Sequence, residues 1–145
     1  MVTMTRTAFI SGHVDLSPLE FKDHYWDAID LAIKDNDYFL MGSARGADSY
    51  ALDYLISKGV DSKKITVYLY EKDPDRVAEL KSHYQKLKVN FQTGFSSFTS
   101  RDATMTQNSS YDIAWVRSEV ECKIRYGINY KPRISGTQRN LESSK

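Results

Sequence analysis

The chain has 145 residues, 41% of them hydrophobic and 27% charged, so one domain spanning residues 1–145 with an ordinary core is expected. Twenty basic residues against nineteen acidic ones leave a net charge of +1, too balanced for nucleic acid or an acidic membrane to be the expected partner. The single cysteine, Cys122, excludes an intrachain disulfide and is read as a passive packing residue rather than a nucleophile.

In chain order, Thr7 to Gly12 reads as a short buried strand. A helix start follows: Ser17 at the N-cap, Pro18 at N1 and Glu20 at N3 form a capping box, with Leu16 and Phe21 as its hydrophobic staple. Tyr25, Trp26, Ile29 and Ile33 recur at helical spacing and mark the expected buried face, and Lys34 to Asp37 closes the helix. Tyr38 to Met41 is a second strand. The turn Gly42-Ser43-Ala44-Arg45-Gly46 leads into a helix whose apolar residues are Ala47, Ala51, Leu55 and Ile56, with Gly59 at the C-terminal cap.

Lys64 to Tyr70, β-branched and aromatic, is a third strand. Asp73-Pro74 opens a helix to about Lys86, Val89 to Gln92 a fourth strand, and Ser97 to Gln107 a weak helix. Tyr111 to Val116 is the fifth strand. Glu119 to Arg133 has no assignable periodicity; its Tyr126 to Pro132 portion reads as a turn-rich excursion, and a short helix is expected after Thr137. Alternating strands and helices argue for a parallel sheet. The opening residues lack the apolar core of a signal peptide and no stretch approaches a membrane span, so the expected location is cytoplasmic.

In such sheets the ligand lies beyond the carboxyl ends of the strands. The segments leaving those ends are Ser11-Gly12-His13, Gly42 to Asp48, Glu71 to Asp73, Gly94 to Arg101 and Arg117 to Glu119. Glycine lets a ligand approach the backbone, and a helix N-terminus offers unpaired N–H groups, so the Gly42 turn and Ser135-Gly136-Thr137 are candidate phosphate cradles. Arg45 and Arg117 are candidate phosphate partners, and Asp48 a ribose partner. The alternatives are plain turn glycines at Gly42 and Gly46, and a helix-dipole role for Asp48. Arg101 and Asp102 read as a surface pair, His13 as a candidate acid or base, and His24 and His83 as surface residues. No ligand spacing suggests a metal, and no cofactor is expected. A Walker loop and the long dinucleotide fingerprint are both missing, which argues against a kinase, an NTPase or a conventional dehydrogenase.

Taken in order, Ser11-Gly12, Gly42-Ser43-Ala44-Arg45-Gly46-Ala47-Asp48, Arg101 to Met105, Asp112 to Trp115 and Ser135 to Asn140 resemble the SLOG superfamily, closest to its small bacterial and viral-type members. This group includes the LOG-type nucleoside-phosphate hydrolases. The resemblance implies an α/β, Rossmann-like three-layer sandwich with a five-stranded, mainly parallel sheet. It also implies a nucleotide or nucleotide-derivative site and a homodimer. LOG-type enzymes cleave the N-glycosidic bond of nucleoside monophosphates with a Gly-Gly-x-Gly-Thr-x-x-Glu element. Here Gly136 and Thr137 are kept and Asn140 stands where its Glu would fall.

Asn140 can hydrogen-bond a ribose but cannot act as a carboxylate base. The expected function is therefore binding of a nucleotide or sugar-phosphate ligand by Gly42, Ser43, Gly136 and Thr137, with Arg45 neutralising phosphate. The alternatives are an N-glycosidase or transferase using Glu119, Glu121 or Asp48, and a dimeric interaction module without a ligand. Tyr126 and Tyr130 are candidates to stack on a base, or plain packing residues.

Overall fold

The computed structural model describes residues 5–70, 74–84, 89–95 and 97–126, without the side chains of His83, Tyr84, Gly94, Phe98, Glu119, Arg125 and Tyr126. Its elements run β1 (Thr7–Ser11), α1 (Pro18–Lys34), β2 (Tyr38–Gly42), α2 (Ala47–Ser57), a 3-10 turn (Ser62–Lys64), β3 (Ile65–Tyr70), α3 (Pro74–Tyr84), β4 (Asn90–Phe95), α4 (Phe98–Asn108), β5 (Tyr111–Ala114) and α5 (Glu119–Tyr126). Every pairing in the five-stranded sheet is parallel, in the order β4-β3-β2-β1-β5. The architecture is a three-layer, Rossmann-like α/β fold.

Strand side chains alternate between the two faces, as the period of two requires. Ala8, Ile10, Phe39, Met41, Ile65, Val67 and Leu69 join Phe21, Tyr25 and Ile29 of α1, Ala51, Leu52 and Leu55 of α2 and Leu80 of α3 in the larger core. On the other face Phe9, Leu40 and Tyr68 meet Met105 of α4, flanked by Phe95. Helices α1, α2 and α3 thus cover one side and α4 the other.

Helix α1 begins on the expected capping box: Ser17 Oγ accepts from the Glu20 N–H and Glu20 accepts from the Ser17 N–H. Its buried face is Phe21, Tyr25, Ile29 and Ala32. Trp26 lies outside that stripe, 36% exposed and stacked on Tyr54, because one residue beyond Tyr25 is a rotation of about 100°. Gly59 takes a positive φ of 75° just past α2, the left-handed stop expected of a C-terminal glycine.

Several boundaries shift for local reasons. Asp61 caps the 3-10 turn by accepting from the Lys63 N–H, so Lys64 belongs to the turn and β3 starts at Ile65. Strand β5 ends at Ala114 and the Trp115 N–H donates to the Tyr25 hydroxyl. Strand β4 runs on to Phe95, beyond the expected end at Gln92. The segment from Glu119, unassigned by sequence, is helical through Tyr126. Asp73, Lys86, Tyr130 and the tail from Thr137 lie outside the described residues. Among the described residues no helix is long and apolar enough to cross a membrane.

Candidate functional site

Strands β1 to β4 step in one direction from β1, and β5 lies on its other side. The strand order therefore reverses between β1 and β5, which makes their carboxyl ends the topological switch point of the sheet. The turn leaving β2 stands beside them. Ser11, Gly12, His13, Gly42, Ser43, Arg45, Gly46, Asp48 and Arg117 all belong to these three carboxyl-end connections or the helix start beyond. Ser135, Gly136, Thr137 and Asn140 lie outside the described residues, and the Glu119 side chain is not described.

The β1 and β2 connections are locked together. The His13 carbonyl accepts from the Ala47 N–H at the start of α2. Gly46 has φ +76°, and a Cβ there would strike the carbonyl oxygens of His13 and Val14. Glycine is required at 46 on both counts. Gly12 is equally constrained, since a Cβ would collide with the Tyr25 hydroxyl and lie 2.6 Å from Ala47 Cβ. That hydroxyl donates to the Ser11 carbonyl at 2.7 Å while accepting from Trp115, and so ties β1 to β5; its burial raises the phenol above its ordinary range.

Arg117, leaving β5, is buried and ion-paired. Its guanidinium reaches both Glu20 oxygens at 2.8 Å and Asp15 Oδ1 at 2.8 Å, and its backbone N–H donates to His13 Nε2. The Arg117 hydrogen bonds hold Glu20 down to about 2, opposed by partial burial and assisted by the Ser17 N–H. The cationic end of Arg117 thus meets carboxylates supplied by the chain itself. Glu121 is exposed and forms a second capping box: it accepts from the Ser118 N–H while Ser118 Oγ accepts from Glu121 N–H. Those bonds lower its carboxyl. Glu20, Arg117, Glu121 and Ile124 line an open cleft. Around it, Trp115 stacks on His24 at 3.9 Å and meets His13 edge-on. Cys122 is half-buried, its thiol turned to the Arg117 carbonyl.

The Gly42 turn sets a buried carboxyl among arginines that are themselves ion-paired, Arg45 and Arg76 with Glu79 and Arg101 with Asp102. Asp48 is buried and accepts from the Ala44 N–H at 3.1 Å; burial pushes its carboxyl up to about 7, against the lowering influence of Arg101 and that N–H. Arg76 of α3 donates to the Ser43 and Ala44 carbonyls and to Ser49. Arg45 is 67% exposed and faces Glu79 at 3.5 Å.

Arg101 departs from its expected place. It is not part of a surface pair: α4 carries it to within 3.4 Å of Ser43 Oγ, only 6% exposed, with Asp102 at 3.4 Å. The local sign of its burial is its spacing four residues before Met105, which is 1% exposed, whereas its partner Ser43 lies 58 residues away in sequence. The capping box at α5 is legible in the sequence as Ser118-x-x-Glu121. Val120 and Ile124 are both exposed.

Among the described residues no group of three or more His, Cys, Asp or Glu side chains is arranged to hold a metal ion. No protein-family profile, curated protein or solved structure matches the chain.

Proposed function

We propose that the protein binds a nucleotide or a nucleotide-derived phosphorylated ligand at the carboxyl rim of its sheet, as the resemblance to the SLOG superfamily implies. The observation that carries this reading is the meeting of the Gly42–Asp48 turn with the β1/β5 switch point, where open parallel sheets bind their ligands. Three arginines, Arg45, Arg76 and Arg101, surround that turn and favour an anion. In this reading the protein works as a cytoplasmic homodimer, with neither a membrane nor nucleic acid as partner, and Gly136, Thr137 and Asn140 complete the site.

The test is incubation with a mixture of nucleoside phosphates and ADP-ribose-like compounds, followed by filtration and mass spectrometry of the retained and free fractions. An intact phosphorylated nucleoside retained with the protein is the expected result. Retention of none overturns the reading, and free base with ribose phosphate would replace binding with N-glycosidic cleavage.

A further inference from the structure

Six polar or charged residues are buried among the described ones: Ser11, Asp37, Ser43, Asp48, Arg101 and Arg117. Two have evident structural work. Asp37 accepts from the Tyr111 hydroxyl and faces Arg6 at the amino end of the sheet, and Arg117 is held by Glu20 and Asp15. The other four gather at the carboxyl ends of β1 and β2.

Their placement follows from register. Ile10 pairs with Met41, so Ser11 stands beside Gly42 in the ladder. The strand period puts both on the face of Phe9 and Leu40, the one covered by α4. A Cβ at Gly42 would lie 2.9 Å from Asp48 Oδ2 and 3.0 Å from the guanidinium carbon of Arg101. Glycine there brings bare backbone against a carboxyl and a guanidinium. Ser43 Oγ lies within 3.4 Å of Arg101.

Ser11 supplies the independent sign of a ligand. It is 7% exposed, and among the described residues its Oγ has no hydrogen-bond partner. A buried hydroxyl left in that state is destabilising, and alanine at that position would be free of the cost. Among the described residues the tie at Ser11 runs through its backbone, whose carbonyl accepts from the Tyr25 hydroxyl, and not through its side chain.

We propose that Ser11, Ser43 and Arg101 form the seat of the ligand's phosphoryl group, on the α4 side of the rim at Gly42. The inference rests on the reading above and moves the principal cation from exposed Arg45 to buried Arg101. The guanidinium, poorly hydrated where it sits, offers a phosphoryl oxygen more than an exposed one does. The Ser11 hydroxyl donates to the same group. Asp48 beside the seat has its carboxyl raised by burial, which lessens the negative charge it presents to an anion.

The test is calorimetric titration of AMP, and separately of inorganic phosphate, into the wild type and the Ser11→Ala, Arg101→Lys and Arg45→Gln variants at pH 6.5, with a melting curve for each protein. Expected is an AMP affinity about fivefold to tenfold weaker in S11A, whose melting temperature is equal or higher. R101K is expected to lose about tenfold or more and R45Q less than threefold. A purely structural role for Ser11 leaves the S11A affinity unchanged. That result, or an R45Q loss exceeding that of R101K, overturns the inference while AMP binding by the wild type upholds the nucleotide reading. Phosphate bound with the S11A and R101K losses but no added affinity for AMP retains the seat and overturns the nucleotide reading. Failure of both probes to bind overturns the seat.

Discussion

Arg117 holds both carboxylate oxygens of Glu20, each at 2.8 Å, across 97 residues of chain. Glu20 is at once the N3 residue of the α1 capping box and the counter-ion of the residue leaving β5. One carboxylate therefore fastens a helix start to the far side of the switch point, and the arrangement resembles an anion already in place.

Replacing Arg117 with Ala strands Glu20 and Asp15 together, and a loss of about 3 kcal/mol in unfolding free energy is expected from urea titration. Glu20→Gln has a distinct signature in acid. The folded carboxyl is depressed from 4.5 to about 2, so its contribution is present above pH 4.5 and fades as pH falls towards 2. E20Q should lose stability at pH 7 and show a flatter decline than the wild type between pH 4.5 and 2.

Asp48 has the opposite sign. Its folded pKa, about 7, lies above the ordinary 3.8, so between those values the folded chain binds more protons than the unfolded one. Stability from this group falls as pH rises through that window. Asp48→Asn keeps an acceptor for the Ala44 N–H and should abolish this part of the slope, read as melting temperature from pH 4.5 to 7.5.

Two glycines with nearly the same backbone angle should behave differently. Gly59 has φ +75° with open space around a would-be Cβ, so Gly59→Ala costs about 1–2 kcal/mol from conformation alone. Gly46, at φ +76°, would also drive its Cβ into the His13 and Val14 carbonyls. Gly46→Ala should cost about 3 kcal/mol or more. Denaturant midpoints of the two variants compare them directly.

Tyr25→Phe removes one hydroxyl and leaves two backbone groups, the Ser11 carbonyl and the Trp115 N–H, without their partner. About 2 kcal/mol is expected. Amide exchange at Trp115 should accelerate more than exchange at Ile10 in the centre of β1.

What the sequence disclosed depends on the range of the interaction. Ser17 to Glu20 carries its own cap within four residues, and the apolar run Tyr38 to Met41 announces a strand locally. The parallel order of the strands followed from their alternation with helices. Arg101 and Arg117 were misplaced or incompletely read because their partners, Ser43 and Glu20, are 58 and 97 residues distant. Periodicity carries no information across such spans. Trp26 failed for a different reason: a wide apolar stripe does not say which of two adjacent aromatic residues points inward, and Tyr25 took the place.

The two faces of the sheet are secured unequally. The side under α1, α2 and α3 is bound by an extensive apolar cluster, whereas α4 is anchored chiefly through Met105 against Phe9, Leu40 and Tyr68. Local opening free energies follow apolar contact, so α4 is the layer expected to detach first while the remainder stays folded. It is also the layer that delivers Arg101 to the rim. A molecule gripping that guanidinium would act as a clasp on the loosest panel of the protein, and occupancy would be felt as protection along the whole of α4.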